Sequence, residues 1–242
     1  MNPYDENSFF TAYSKMSRSV EGLKSAAEWR QLRLLFPALE GKMMLDLGCG
    51  YGWHCKYAVQ QGAKAVLGID LSEKMIGEAK KRNADPKITY RVCGIDAYDY
   101  PADSYDLVVS NLALHYLADL DEVYRGIFRT LKERGLFLFN IEHPTFTAGV
   151  NEDWLRDAEG KTLCWPEYDY FLPGARAVNF LGQKVIKQHH TLTQILGGLL
   201  RCGFRIDAVE EAMPSPEMAC LPDMKDEMRR PMMLLARAEK IR

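Results

Sequence analysis

A glycine-rich turn between a strand and a helix constrains this chain more than any other feature. Leu45-Asp46-Leu47-Gly48-Cys49-Gly50-Tyr51-Gly52 closes the apolar run Met43–Leu47 and precedes a stretch with helical periodicity. Glycines at 48, 50 and 52 let the backbone turn tightly and approach a bound molecule without side-chain obstruction. Asp70 ends the next apolar run, in Leu67-Gly68-Ile69-Asp70, 24 residues after Asp46. A carboxylate there can accept hydrogen bonds from both hydroxyls of a ribose. Together the two features predict an adenosine-containing ligand lying across the carboxyl ends of the strands.

From Gly41 to Asn140 short apolar runs alternate with amphipathic stretches. Met43–Leu47, Ala65–Ile69, Ile88–Val92, Tyr105–Ser110 and Leu136–Ile141 read as strands, and the helical segments between them predict parallel pairing through crossovers. Asp119 with Glu122 makes a capping-box-like helix start. Leu120, Val123, Ile127 and Leu131 follow at helical spacing, and Gly135 supplies a left-handed stop. Thr191 with Gln194 repeats the cap, Leu192, Ile195, Leu196, Leu199 and Leu200 form the apolar face, and Gly203 ends that helix. Phe204–Glu211 and Met232–Ala238 read as an antiparallel pair at the sheet edge. Phe9, Phe10, Tyr13 and Trp29 mark an amphipathic helical arm in the first forty residues. Seven of the eleven prolines lie beyond residue 143, and His143 to Gln188 is rich in Trp, Tyr, Pro and Gly with little periodicity. A long irregular segment in a compact enzyme is usually a lid or pocket wall.

Composition narrows the function classes. Of 242 residues, 47% are hydrophobic and 26% charged, which excludes disordered and collagen-like chains. The net charge of −2 and pI near 6.2 give no electrostatic reason to expect nucleic acid as the partner. The longest apolar run is five residues, Met232 to Ala236, far below the roughly 18 that span a bilayer. Asp5 and Glu6 near the start, with no apolar segment in the first twenty residues, predict no secretory signal. Cysteines at 49, 55, 93, 164, 202 and 220 include no C-x-x-C pair, so neither a metal site nor a disulfide scaffold is expected. The reading is a reduced, cytoplasmic protein.

A dinucleotide-binding turn, G-x-G-x-x-G, would put its third glycine at position 53, where the chain has Trp53. An indole there obstructs close helix–strand packing. The charge of Asp46 also suits an ammonium or sulfonium group better than a pyrophosphate. NAD is therefore the runner-up ligand, with an oxidoreductase as the corresponding function.

Over most of its length, and most clearly over 41–142, the chain resembles the class I S-adenosylmethionine-dependent methyltransferases. LDLGCGYG (45–52) resembles that family's first motif, GIDLSEKMI (68–76) its second, GIDAYDYP (94–101) its third and YDLVVSNLALHYL (105–117) its fourth. The resemblance implies S-adenosylmethionine as cofactor, with Gly48 and Gly50 wrapping its methionine part, Asp46 near the ammonium and Gly52 a further cofactor-binding candidate. It implies Asp70 on the ribose hydroxyls with Leu71 beside it, Asp96 on the adenine amino group and the Ala97 amide on a ring nitrogen. Asn111 would offer its backbone carbonyl near the amino-acid end. From the arm, Tyr13 and Arg18 would close over the site, Arg18 pairing with the cofactor carboxylate. Gly52 serves only the turn in the alternative reading.

The fold expected is α/β: a Rossmann-like, seven-stranded, mostly parallel sheet with helices on both faces. Residues 1–40 form an N-terminal helical cap, 41–142 the cofactor-binding core and 143–190 an inserted lid after the fifth strand. Residues 191–242 add the last helix and strand pair. The function expected is methyl transfer to a small-molecule acceptor, since a large aromatic insertion covers a site rather than leaving an open groove. A catalytically silent cofactor-binding protein is the alternative of another class. Methyl transfer needs a base only when the acceptor must lose a proton. Candidates are His143, His115, His189, His190 and Glu142. His143 directly follows the fifth strand and is held extended by Pro144, which predicts a catalytic base at the carboxyl edge; the alternative is a histidine that fixes this junction. His115, Trp165 and Tyr168 are the candidate acceptor-binding residues. Trp154, Trp165, Tyr168, Tyr170 and Phe171 form either an aromatic wall, the lid's own small core or a dimer contact. The sequence assigns no acceptor atom and no oligomeric state.

Overall fold

Five apolar runs pair side by side in one direction: β1 (Met43–Leu47), β2 (Ala65–Asp70), β3 (Ile88–Val92), β4 (Tyr105–Asn111) and β5 (Leu131–Glu142). Two more, β6 (Phe204–Glu211) and β7 (Met233–Lys240), join antiparallel, giving the order β6-β7-β5-β4-β1-β2-β3. These elements come from a computed structural model, which describes residues 2–220 and 222–241. Strand order reverses between β1 and β4. Such a switch point opens a crevice at the carboxyl ends of the strands, where open α/β sheets bind ligands.

Helices cover both faces, as the apolar character of the central strands demands. Leu107, Val108 and Val109 of β4 are all fully buried, with alternate residues facing opposite layers. On one face Leu45, Val108, Phe137 and Phe139 pack against α6 (Leu120–Thr130) and the helix α7 (Leu192–Cys202). On the other, Met44, Leu107, Val109 and Leu138 pack with Leu32 of α3 (Trp29–Leu35), Ala58 of α4 (Trp53–Gln60) and Ile76 of α5 (Glu73–Arg82). The arm begins with α1 (Asn7–Ser14) and α2 (Ser17–Glu21).

Both sequence-predicted helix starts are capped as expected. Asp119 accepts the Glu122 N–H at 2.9 Å, Thr191 and Gln194 form a reciprocal box, and Gly203 ends α7 at φ 100°. The stop at Gly135 is corrected. α6 ends at Thr130, and Leu131 is already extended and pairs with Tyr105 as the first residue of β5. Leu131 is fully buried in the sheet core, and the left-handed turn falls on Arg134 at φ 60°. Sheet pairing has thus taken over a residue whose spacing alone reads as helical.

The segment after β5 is less irregular than its composition suggests. It contains a short hairpin, Leu155–Arg156 with Thr162–Cys164, and a longer one, Gly174–Phe180 with Gln183–His189. Val178 and Val185 of the longer hairpin bury against Phe9 of α1, with Tyr4, Tyr13, Tyr116 and Phe180 packed around them.

Candidate active site

The glycine turn takes left-handed backbone at all three positions, as its spacing predicts. Gly48 and Gly50 sit at φ 73° and 53°, and the Gly48 and Cys49 N–H groups donate to the Ile69 carbonyl at 2.9 Å. A Cβ on Gly48 would overlap that of Ala113, whereas one on Gly50 would meet nothing within 4 Å. The Gly50 N–H donates to Asp70 Oδ2, and the Ser72 N–H to Oδ1, both at 2.9 Å. Burial raises the Asp70 pKa against these two bonds. Gly52, at φ 76°, instead starts α4, and a Cβ there would strike the Tyr90 ring. It lies outside the cavity wall, so turn and packing account for it.

A cavity of about 950 Å³ runs from this turn over the ends of β4 and β5. Gly48, Gly50, Asp70, Leu71, Asp96 and Asn111 line it, as do Tyr13 and Arg18 from the arm. The structure therefore brings eight of the eleven residues assigned to the cofactor to one cavity. Asp46 stands one layer behind, 1% exposed, with Cys55 Sγ donating to it at 3.2 Å and its Oδ1 without a partner. Burial pushes its pKa up to about 7. Ala97 lies outside the wall, and its N–H closes a turn onto the Gly94 carbonyl at 3.2 Å.

Arg18 faces the cavity but is already paired. Its Nη2 donates to both oxygens of Glu28, at 2.7 and 2.8 Å, and Glu28 is 1% exposed. Asn111 Nδ2 donates to Glu28 at 3.2 Å and Asn140 Nδ2 to Asn111 at 2.8 Å. This chain of bonds fastens the arm across the ends of β4 and β5.

Two expectations about the acceptor end are corrected. His143 is not brought to the cavity: its Nδ1 accepts the Thr145 N–H at 3.1 Å, capping the turn Pro144–Thr147, and its Nε2 lies 3.2 Å from Glu211. The same Pro144 that extends His143 makes it a helix cap. Nor do Trp154, Trp165, Tyr168, Tyr170 and Phe171 line the cavity, and of the readings left open for them the insertion's own small core fits. Trp165 stacks on Phe146 at 5.3 Å in a small core of the insertion that Arg230, from the last segment of the chain, closes with its guanidinium 4.2 Å from the Trp165 ring. Tyr168 is 46% exposed beneath Arg176. His189 and His190 bond Tyr170 and Leu117 carbonyls and lie outside the wall.

His115 does line the cavity, beside Glu142 and Lys187. Lys187 Nζ donates to Glu142 at 2.6 Å and to Glu152 at 2.8 Å, and His115 Nε2 stands 3.8 Å from Glu142. Burial, then the charges of Lys187 and His190, hold the imidazole neutral. Burial and the neighbouring Glu142 raise Glu152 to about 7. The aromatic wall comes from Tyr4, Tyr13, Tyr116 and Phe180. Tyr4, Glu28, Tyr116 and Lys187 are absent from the sequence-based assignment. Lys187 alone carries a local signal, since it occupies the inward face of its strand between buried Val185 and His189.

Comparison with known proteins now decides the family. A methyltransferase-domain model matches residues 45–139. The crystal structure of an S-adenosylmethionine-dependent methyltransferase from Mesorhizobium loti is 41% identical, covering 90% of this chain and 100% of that one, with a TM-score of 0.83. The chain belongs to the S-adenosylmethionine-dependent methyltransferases. A Listeria monocytogenes protein provisionally described in the same terms is 47% identical over 90% of this methyltransferase and 99% of its own chain, with a TM-score of 0.86. An uncharacterized Haemophilus influenzae protein is 29% identical over 98% of this chain and 96% of its own. The chain spans half or less of the length of the other curated relatives. S-adenosylmethionine is the methyl donor. The residues present fit it: a main-chain cradle with open space at Gly50, and a carboxylate at the end of β2, face one cavity. Among the described residues no helix of this methyltransferase is long and apolar enough to cross a membrane.

Proposed function

We propose that this methyltransferase acts on a small-molecule acceptor held in the cavity over β4 and β5. The observation that carries the reading is the cover: arm and inserted hairpin join over one cavity of about 950 Å³. That volume is of the size small-molecule sites have. A macromolecular substrate needs an open groove.

In this reading residues 1–40 are a cap, 41–142 the cofactor-binding core, 143–190 the acceptor-side insertion and 191–242 the completion of the sheet. Gly48 and Gly50 give main-chain room to the methionine part of the cofactor. Asp70 receives the ribose hydroxyls and Leu71 packs beside them. Asp96 accepts from the adenine amino group, and Asn111 and Tyr13 close the amino-acid end. Arg18 reaches the cofactor carboxylate by sharing its guanidinium with Glu28. When bound, the cofactor supplies a methyl group on a positively charged sulfur that departs neutral. The protein's part is alignment in a dry site, which is worth several kcal/mol. The six unpaired cysteines suit a reducing compartment such as the cytoplasm.

Calorimetric titration with S-adenosylhomocysteine, with NAD in parallel, tests the assignment. Tight binding of the former alone is expected, weakened about a hundredfold in Asp70→Ala. Equal affinity in that variant would sink the site.

A further inference from the structure

We propose that the methyl acceptor is a small amine, bound as its ammonium against Glu142 among Tyr4, Tyr13, Tyr116 and Phe180. The inference rests on the methyl-transfer reading above and names the acceptor class for that same site.

The first support is charge. Five carboxylates but only three lysine or arginine side chains line the cavity. A bound S-adenosylmethionine adds one net positive charge, from a sulfonium, an ammonium and a carboxylate, so a surplus of negative charge remains. A separate imbalance stands beside the wall: Arg18 and Glu28 cancel each other at 2.7 Å, whereas the single ammonium of Lys187 is shared by Glu142 of the lining and by Glu152, which is not part of it. The side chains of Lys187, Glu142 and Glu152 are only 5, 13 and 9% exposed. A buried charge without a partner is costly, so above about pH 7, where Glu152 is ionised, this cluster favours one more cation. His115 adds none. It is 3% exposed and held neutral, and its Nδ1 is left without a partner at the cavity wall. An acceptor carboxylate or phosphate would find Lys187 already held by two carboxylates.

The second support is independent of charge counting. The wall beside Glu142 is aromatic, and ring faces attract cations. Lys187 Nζ already stands 5.5 Å from the centroid of Phe180. Tyr4 and Tyr116 share a hydroxyl hydrogen bond at 2.8 Å, and Tyr4 meets Tyr13 edge to face at 5.4 Å. These rings hold one another in place, so a cation entering there meets a preorganised wall.

The step balances. The ammonium gives one proton to the Glu142 carboxylate. The freed nitrogen lone pair forms the N–CH3 bond as the S–CH3 bond breaks, its electron pair staying on sulfur. Positive charge passes from sulfur to nitrogen, still beside the aromatic wall, and the proton on Glu142 returns to solvent with product release. Burial raises the proton affinity of Glu142, which suits it to the transfer.

The test uses full-length protein saturated with S-adenosylhomocysteine and titrated calorimetrically. Benzylamine, tyramine and putrescine are compared with benzoate, 4-hydroxyphenylacetate and benzyl alcohol. At least one amine binds tenfold or more tightly than the matched acid and alcohol, and Glu142→Gln removes that preference while keeping S-adenosylhomocysteine affinity. With S-adenosylmethionine in place, mass spectrometry finds the methyl group on that amine's nitrogen. Should Glu142→Gln fail to fold, the unsubstituted protein decides, because its preference for amine over acid needs no variant. Binding of no amine, or preference for the acid or alcohol, overturns the proposal. Loss of S-adenosylhomocysteine binding by the unsubstituted protein would instead overturn the reading on which it rests.

Discussion

Where the cavity wall passes β1, β2 and β3, it is made largely of main chain and of residues within four positions of a strand end. Where it passes β4 and β5, it is made of charged and aromatic side chains drawn from the arm and the inserted hairpin. Gly48, Gly50 and Asp70 belong to the first kind, while Tyr4, Glu28 and Lys187 belong to the second. The two kinds fail differently. A wall of main chain is sensitive to added volume, and a wall of buried ion pairs is sensitive to an unmatched charge.

The sharpest way to break this contrast is volume at the glycine turn. Gly48→Val puts a branched side chain at φ 73° into the space held by Ala113, at the cavity wall. We expect S-adenosylhomocysteine affinity to fall about a thousandfold by calorimetry. Gly41→Val is the control, because Gly41 has nearly the same φ, 71°, but nothing within 4 Å of its added carbon. It costs only about 1–2 kcal/mol of backbone strain, leaving affinity unchanged. Equal losses in both variants would mean that strain, not the cradle, sets affinity.

Charge at the acceptor end comes next. Lys187→Met keeps most of the volume but strands Glu142 and Glu152 together. Removing one partner of a buried pair costs about 3–5 kcal/mol, read by urea denaturation at pH 8. The loss shrinks as pH falls, because burial raises the proton affinity of both carboxylates and protonation removes the stranded charges. Lys132→Met, at a pair with Asp106 whose lysine is 40% exposed, costs less than about 1 kcal/mol. A small, pH-independent loss at Lys187 would show the cluster to be wetter than its geometry.

The same contrast explains what the sequence could reveal. Gly48, Gly50 and Asp70 are legible because main-chain cradles are encoded by residues next to strand ends, where spacing and residue type suffice. β1, β3 and β6 coincide with their sequence-derived bounds for the related reason that each is a local pattern, apolar throughout most of β1 and alternating in β3 and β6. α6 read too long because Leu131 satisfies helical spacing and sheet pairing equally, and only the long-range partner Tyr105 decides. Glu28 meets Asn111 across 83 positions and Lys187 meets Glu142 across 45. No window of sequence contains such a pair. His143 misled for the opposite reason: its local signal was strong but described a cap, and the same proline fits both readings.

Asp46 tests the layer behind the cradle. Its folded pKa, about 7, lies above the ordinary 3.8 because of burial. Between those values the folded state holds a proton that the unfolded chain has released, so stability falls as pH rises from about 4 to 7. Glu152 acts in the same direction, whereas His54, lowered to about 4 by burial, loses stability as pH falls below 6.5. Asp46→Asn removes one of these contributions. Its stability relative to the unsubstituted protein should rise with pH over that window, by at most about 4 kcal/mol. A flat difference across pH 4–8 would show that Asp46 stays ionised, its charge met by something other than the Cys55 thiol.

The smallest effect is expected at His143, and its smallness is the point. If the imidazole only caps the turn Pro144–Thr147, His143→Ala costs about 1 kcal/mol through the lost Thr145 N–H acceptor. His143→Asn should recover most of that loss, since asparagine is among the best N-caps and offers an oxygen to the same amide. Affinities for S-adenosylhomocysteine and for the acceptor amine should stay within about twofold in both variants, because neither residue faces the cavity. A proton-transfer role predicts the reverse pattern. Asparagine would then restore stability but not methyl transfer, and a tenfold loss of turnover in a fully folded His143→Asn protein would move the chemistry from Glu142 to the far side of β5.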